Sequence, residues 1–396
     1  MQNKLKIAIS ATGFIEWTGG TEFLKTIIYL LTQEDYDLYL LLPSFSLKNY
    51  PKFFVKNFKS LLKIYNQVFP AKENPELKEL FKEFDGKVKF VYHNGNILKT
   101  INKIKPDVIY PTWDKLYNKC NIPQIAYLYD CQHKYYPEHF KKHSIKSRDK
   151  YFQTVVDNYK AIIVGSEDTK NDLIKFYNAN PEHIFPINGY PTAKNNYFDD
   201  YEGNVLEKFN LPKNYFIVCS QFWKHKSHIT AFEAVKILKD KGHDVCLVCT
   251  GKMEDYRYPE YTDELKSKIK EWQIEDNIKL LGMVDRKDLL ELVKNTTCLI
   301  QPSLYEGGAG AGSVVEAIIY MKNIIMSDIQ INKEYSHFEN ITYFEAKNSQ
   351  DLADKMLQVV STPAKFYTKE ELIKIAKERN AFALEQMLKP IEYILK

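Results

Sequence analysis

The sequence predicts two α/β domains, each built on a doubly wound parallel sheet. Short apolar runs alternate with amphipathic segments, the alternation breaks over residues 188–212, a stretch rich in Asn, Gly, Pro and Asp, and it then restarts. The length of 396 residues agrees, because one hydrophobic core seldom organises so long a chain.

Each element follows from its pattern. Residues 4–10 read as a buried strand, 11–20 as a loop containing Gly19 and Gly20, 21–31 as an apolar-periodic helix and 38–42 as a second strand. Further strands fit 88–92, 108–110, 124–128 and 161–164, with helices between. After the break come a strand at 216–219, a helix at 229–239, a strand at 245–250 ending at Gly251, a helix at 261–272 and a strand at 278–281 ending at Gly282. A strand at 298–300, a helix opening near Ser313, strands at 323–326 and 342–344, and helices from Ser349 and from about Lys369 complete the chain.

Composition narrows the classes. Cysteines 120, 131, 219, 246, 249 and 298 fall mostly in apolar runs; the sole CxxC spacing, Cys246 and Cys249, lies inside the strand-like run 245–250, which fits reduced core residues and argues against a disulfide frame or a zinc site. The start, MQNKLKIAIS, lacks the long apolar core of a signal peptide, and no run of about 18 apolar residues occurs. A cytoplasmic protein is expected, soluble or peripheral on the inner face of the cytoplasmic membrane. Residues 48–63 carry no acid, and Lys52, Lys56, Lys59 and Lys63 interleave with Phe53, Phe54, Phe58, Leu61 and Leu62, the pattern of a basic amphipathic helix suited to an anionic membrane surface. An ordinary solvated helix reads equally well. No nucleic-acid motif accompanies the lysines, so nucleic acid is not an expected partner.

The densest chemistry lies in 301–334. A strand runs into a loop with Glu306, then Gly307, Gly308 and further small residues let a backbone approach a ligand; a helix opens at Ser313 and Val314 with Glu316 in its first turn. Helix N-termini attract phosphate and carboxylates hold hydroxyls, so the unit reads as a sugar-nucleotide cradle. Asp35-Tyr36-Asp37, the sole DxD, precedes the second strand, away from the carboxyl ends where ligands bind, so no metal is expected.

This segment resembles the donor-site signature of retaining GT-B glycosyltransferases of family 4. Residues 127–137, YLYDCQHKYYP, with Arg148-Asp149, resemble a bacterial subgroup carrying DxQHxxxP. The resemblance implies the GT-B fold: two Rossmann-like domains facing a cleft, an acceptor-side domain over 1–190 completed by a crossing helix over about 369–396, and a nucleotide-sugar-binding domain over 191–368. It also implies that Glu306 contacts the donor sugar, Glu316 the ribose and His133 the donor sugar from the opposite domain. More residues separate Glu306 from Glu316 than in the family's usual spacing. Where the family places an arginine and then a lysine for the diphosphate, this chain has Gln221 and Lys226, and Lys224, His225 or His228 stand as substitutes for the missing cation. Gly19 and Gly20 match the family's first glycine loop, and Gly282, Met283 and Val284 the strand end that reads the base.

The expectation is a retaining, metal-independent hexosyltransferase without a cofactor. It would use a nucleotide sugar as donor and a glycan or lipid-linked hydroxyl as acceptor, in bacterial surface polysaccharide synthesis. The alternatives are a degenerate GT-B chain that binds glycan or a partner glycosyltransferase, and a nucleotide-sugar epimerase.

Overall fold

The computed structural model describes residues 4–16, 18–44, 71–113, 119–187, 191–308, 313–362 and 365–396. The basic segment 48–63 lies outside them. The first sheet contains β1 (Lys6–Ser10), β2 (Asp37–Pro43), β3 (Lys89–His93), β4 (Val108–Thr112), β5 (Gln124–Tyr127), β6 (Ile162–Val164) and β7 (Ile184–Pro186) in the order β3-β2-β1-β4-β5-β6-β7. The second contains β8 (Phe216–Cys219), β9 (Leu247–Thr250), β10 (Ile278–Gly282), β11 (Cys298–Gln301), β12 (Asn323–Ser327) and β13 (Ile341–Phe344) in the order β10-β9-β8-β11-β12-β13. Every pairing is parallel.

Helices cover both faces of the second sheet, which is why its strands are apolar without interruption. Along β8, Ile217 and Cys219 enter one apolar layer and Phe216 and Val218 the other. Leu299 of β11 joins the first layer and Cys298 and Ile300 the second, so the two-residue period survives under a continuous apolar run.

The last helix, Lys369–Leu395, ties the two cores together. It opens with a capping box: the Thr368 hydroxyl accepts from the Glu371 N–H at 3.2 Å, and the Glu371 carboxylate accepts from the Thr368 N–H at 2.7 Å. Leu372 and Ala376 pack into the second domain's core, whereas Ala383, Met387 and Ile391 pack into the first domain's. Between these anchors Asn380 clasps the connecting chain, accepting from Ala193 N–H at 3.0 Å and donating to Ala193 C=O at 2.8 Å.

Three readings change. The first long helix is Thr18–Leu31, so Gly19 and Gly20 belong to its first turn and not to the loop before it; Phe14, buried in the 3₁₀ turn Phe14–Glu16, anchors that earlier start. Strand β7 was not expected, because three residues at a sheet edge carry too little periodicity to be read. The connection 188–212 holds a short helix, Val205–Lys208, capped by Asn204, and a 3₁₀ turn, Asn195–Phe198.

Asn380→Ala removes both halves of the clasp and leaves the Ala193 groups unpaired. Stability should fall by about 1–3 kcal/mol in denaturant unfolding, while Asn380→Asp, which keeps the acceptor, should lose less.

Candidate functional site

In an open parallel sheet the ligand crevice lies outside the carboxyl ends where strand order reverses, here between β1 and β4 and between β8 and β11. The pairing of β8 with β11 brings the loops that leave them side by side. Their backbones bond where Leu304 N–H donates to His225 C=O at 2.8 Å. Lys226 of the first loop donates to Glu306 Oε2 of the second at 2.6 Å, and Gln301 donates to Glu306 Oε1 at 3.3 Å. The two charged side chains are only 12% and 4% exposed. Removing one partner of so enclosed a pair strands the other charge, at a cost of roughly 3–5 kcal/mol.

Glu316 stands in the first turn of the helix Val314–Ile319, which follows Ser313 in the left-handed conformation and buries Val314. Its Oε1 accepts from Arg286 Nη2 at 2.5 Å and from Tyr197 O–H at 3.2 Å, and Arg286 also donates to the Tyr197 hydroxyl. Tyr197 belongs to the connecting chain. So does Lys194, which donates to Glu22 at 2.8 Å beyond Gly19 and Gly20 in the first long helix. Burial acts to raise the Glu22 carboxyl, but Lys194, with Lys25 and Arg286, holds it below its usual range. The connection thus touches both domains, Lys194 at Glu22 of the first and Tyr197 at Glu316 of the second.

The domains also meet directly. Asp130, after β5, accepts from Gln132 N–H at 2.9 Å through Oδ1 and lays Oδ2 against Gly307. A Cβ at Gly307 would fall 2.6 Å from that oxygen, so any side chain there would displace the Asp130 carboxylate. One residue on, Gly308 Cα would lie 3.2 Å from a Cβ at Gly165 of the first domain. Tyr136 O–H donates to Leu304 C=O at 3.2 Å. Glu334 caps the helix Glu167–Tyr177 from the other domain, accepting from the N–H groups of Glu167 at 3.1 Å and Asp168 at 2.8 Å. Burial raises the carboxyls of Asp168 and Glu334. Burial likewise pushes Asp172 to about 6, against the pull of a bond from Tyr135 O–H and with Asp168 adding to the rise.

The histidines do not take the roles expected of them. The His133 side chain is fully enclosed, with Nε2 at 3.0 Å from both Asp149 Oδ1 and the Tyr177 hydroxyl and its ring edge-on to Phe152. It offers no accessible atom to a sugar, because its short helix, Gln132–Tyr135, turns it into the domain. Burial, then Lys226 and Arg257, lower His225 to about 2, and burial, then Lys226, lower His228 to about 3. Both are neutral at physiological pH and neither replaces a missing cation. Lys224 lies 4.7 Å from the Tyr258 ring, and Gln221 is partly exposed beside it in the loop. At the end of β10, Gly282 has a φ of +66°, Met283 is 69% exposed and Val284 packs on the second core. Sequence reasoning missed Arg257, Arg286, Tyr197 and Glu334. The first three are remote in sequence from the 301–334 unit, and Glu334, at that unit's end, had no role assigned because its partners lie in the other domain.

His228 links stability to pH. Its ring stacks on Phe222 with centroids 4.1 Å apart and is fully buried. The folded state prefers the neutral ring, so this contribution is complete above the unfolded value of 6.5 and is lost as pH falls from 6.5 toward 3. Between pH 6.5 and 5 the loss is about 2 kcal/mol. His228→Gln should show a flatter melting-temperature profile across that window; a slope equal to wild type would show that the ring titrates as in the unfolded chain.

Comparison with known proteins agrees with this arrangement. Residues 205–379 match the family described as Glycosyl transferases group 1, so the second domain carries a glycosyl transferases group 1 domain. No curated protein matches the sequence. Among solved structures, a glycosyltransferase from Rickettsia africae ESF-5 is similar with a TM-score of 0.65 at 18% identity, over 100% of this chain and 98% of that one. Anabaena Alr3699/HepE in complex with UDP gives 0.64 at 15%, over 98% and 100%. Sucrose-phosphate synthase from Thermosynechococcus elongatus gives 0.64 at 13%, over 98% of each. At these identities the likeness establishes the architecture, and the fold is GT-B.

Proposed function

We propose that this chain is a retaining glycosyltransferase of family 4, moving a hexose-type sugar from a nucleotide donor to a glycan or lipid-linked hydroxyl in bacterial surface polysaccharide synthesis. The observation that carries the reading is the buried Lys226–Glu306 pair at the β8–β11 switch point, one short loop before Glu316. The glycosyl transferases group 1 domain and the UDP held by the Anabaena neighbour support a nucleotide-sugar donor.

In this reading the diphosphate lies between Lys226 and the amides of Gly307 and Gly308, the sugar meets Glu306, and the ribose hydroxyls meet Glu316. The neutral partner Gln301 and the cation Lys226 fix Glu306 before substrate arrives. Departure of the diphosphate develops negative charge, which Lys226 stabilises. The leaving oxygen takes the acceptor proton on the same face, so the reaction needs neither metal nor cofactor. The basic segment 48–63 would hold the first domain on anionic lipid to reach a lipid-linked acceptor. Incubating the chain with a panel of nucleotide sugars, with and without EDTA, and identifying products by mass spectrometry tests the whole reading. Absence of transfer or hydrolysis from every donor would return it to a binding protein of the same fold.

Glu316→Gln preserves shape but loses charge-assisted bonds worth roughly 1.5–3 kcal/mol, so nucleoside diphosphate affinity should drop about tenfold or more by calorimetry. Equal affinity would remove Glu316 from the ribose site.

Lys226→Ala deletes the fixed cation and should lower turnover more than about a hundredfold, the scale of about 3–4 kcal/mol for one preorganised group. Because it also strands Glu306, nucleoside binding is read alongside: low turnover in a variant that still binds the free nucleoside as wild type does assigns the loss to the missing cation.

A further inference from the structure

The cations around the switch point are unequally neutralised. Lys226 has a close carboxylate in Glu306. Arg257, in the loop after β9, has a side chain only 8% exposed, and among the described residues its one carboxylate contact is Asp255, reached through Nε at 3.3 Å. That carboxylate is already engaged: Oδ1 accepts from the Arg257 N–H at 3.0 Å and Oδ2 from the Lys224 N–H at 3.0 Å. The other contacts of the guanidinium are neutral. Nη2 donates to His225 Nδ1 at 3.2 Å, and Nη1 reaches Gln132 Oε1, across the domain junction, at 3.5 Å. A guanidinium has five N–H donors, and the protein acceptors named here use three. Behind it the Trp223 ring lies 5.0 Å away, which supports the plane without neutralising its charge.

Position matters as much as charge. His225, which Arg257 touches, bonds through its carbonyl to Leu304, two residues before Glu306. Gln132, the other contact, donates its backbone N–H to Asp130, the residue lying against Gly307. Arg257 therefore reaches the same junction as Lys226 and the glycine loop, from a third strand end and touching both domains. The His225 ring between the two cations stays uncharged, with Nδ1 the acceptor, so it spaces them without screening them. Asp255 and Glu306 balance Arg257 and Lys226, and Lys224 is exposed; what the junction keeps available to an anion is the guanidinium's remaining N–H donors.

We infer that Arg257 is a second diphosphate-binding cation, acting with Lys226 on the phosphate groups of the donor; this rests on the nucleotide-sugar reading above. Its planar fork suits two phosphate oxygens, whereas Lys226 supplies a point charge.

Calorimetry on the full chain with inorganic pyrophosphate, UDP, GDP and the matching nucleosides tests it. Wild type is expected to bind pyrophosphate and one of the two nucleotides. Arg257→Gln should weaken both by about tenfold or more and leave the nucleoside unchanged, with Arg257→Lys intermediate. A folded Arg257→Gln that binds pyrophosphate as wild type does overturns the inference, and if UDP or GDP still binds, the nucleotide-sugar reading stands without it. Conversely, Arg257-dependent pyrophosphate binding with no nucleotide binding and no transfer keeps the anion site and discards the glycosyltransferase reading. Where the glutamine variant does not fold, phenylglyoxal modification of Arg257 in wild type decides, located by mass spectrometry. Pyrophosphate should slow it severalfold, and equal rates with and without pyrophosphate count against the site.

Discussion

The parallel pairing of β8 with β11 is the constraint on which the rest of the site depends. Cys298 sits opposite Phe216 and Leu299 opposite Ile217, so the loops leaving these strands start at the same height on the same edge of the sheet. Chain order separates Lys226 from Glu306 widely, yet the register delivers them to 2.6 Å. A shift of one residue would exchange the two faces of β8, sending Ile217 and Cys219 into the layer now filled by Phe216 and Val218. The core therefore enforces the geometry of the charged pair. The apolar layers supply the free energy, and the pair, costly to bury, is held where they put it.

A second consequence concerns how the domains are held. The helix Lys369–Leu395 enters both cores, and Asn380 fastens Ala193 midway between its two anchors. Just beyond Ala193, Lys194 faces Glu22 in the first domain and Tyr197 faces Glu316 in the second. The connection is thus part of the site's wall. Any ligand that changes how Glu316 is bonded acts on Tyr197 and so on the chain between the domains.

Much of this was legible in the sequence, and what was not has a physical cause. Buried parallel strands must be apolar at successive positions, so runs such as FIVC and CLIQ announce themselves, as does the glycine loop before Glu316. Gly307 could be recognised, but the reason for it, the Asp130 carboxylate pressed against it from the other domain, could not. The same limit hid Arg257 and the role of Glu334, whose partners lie in other loops or the other domain, since contacts across a junction leave no period in the sequence. His133 misled for the opposite reason. Its motif is conspicuous, but the short helix that carries it turns the ring toward Phe152 and Asp149, where burial lowers its basicity.

The junction finally shows a separation of charge that no single residue explains. On one side stand Asp130, Asp168, Asp172 and Glu334; burial raises the carboxyls of the last three, and the helix N-terminus at Glu167 and Asp168 satisfies Glu334. On the other stand Lys224, Lys226 and Arg257 around two neutral histidines. Gly307 lies between, against Asp130 and one residue from Glu306. On the proposed reading the donor's diphosphate faces the basic loops, where Glu306 and Asp255 accompany Lys226 and Arg257, and its hydroxyl groups face the acidic side. Such an orientation draws on elements of both domains, which the crossing helix keeps together by entering both cores.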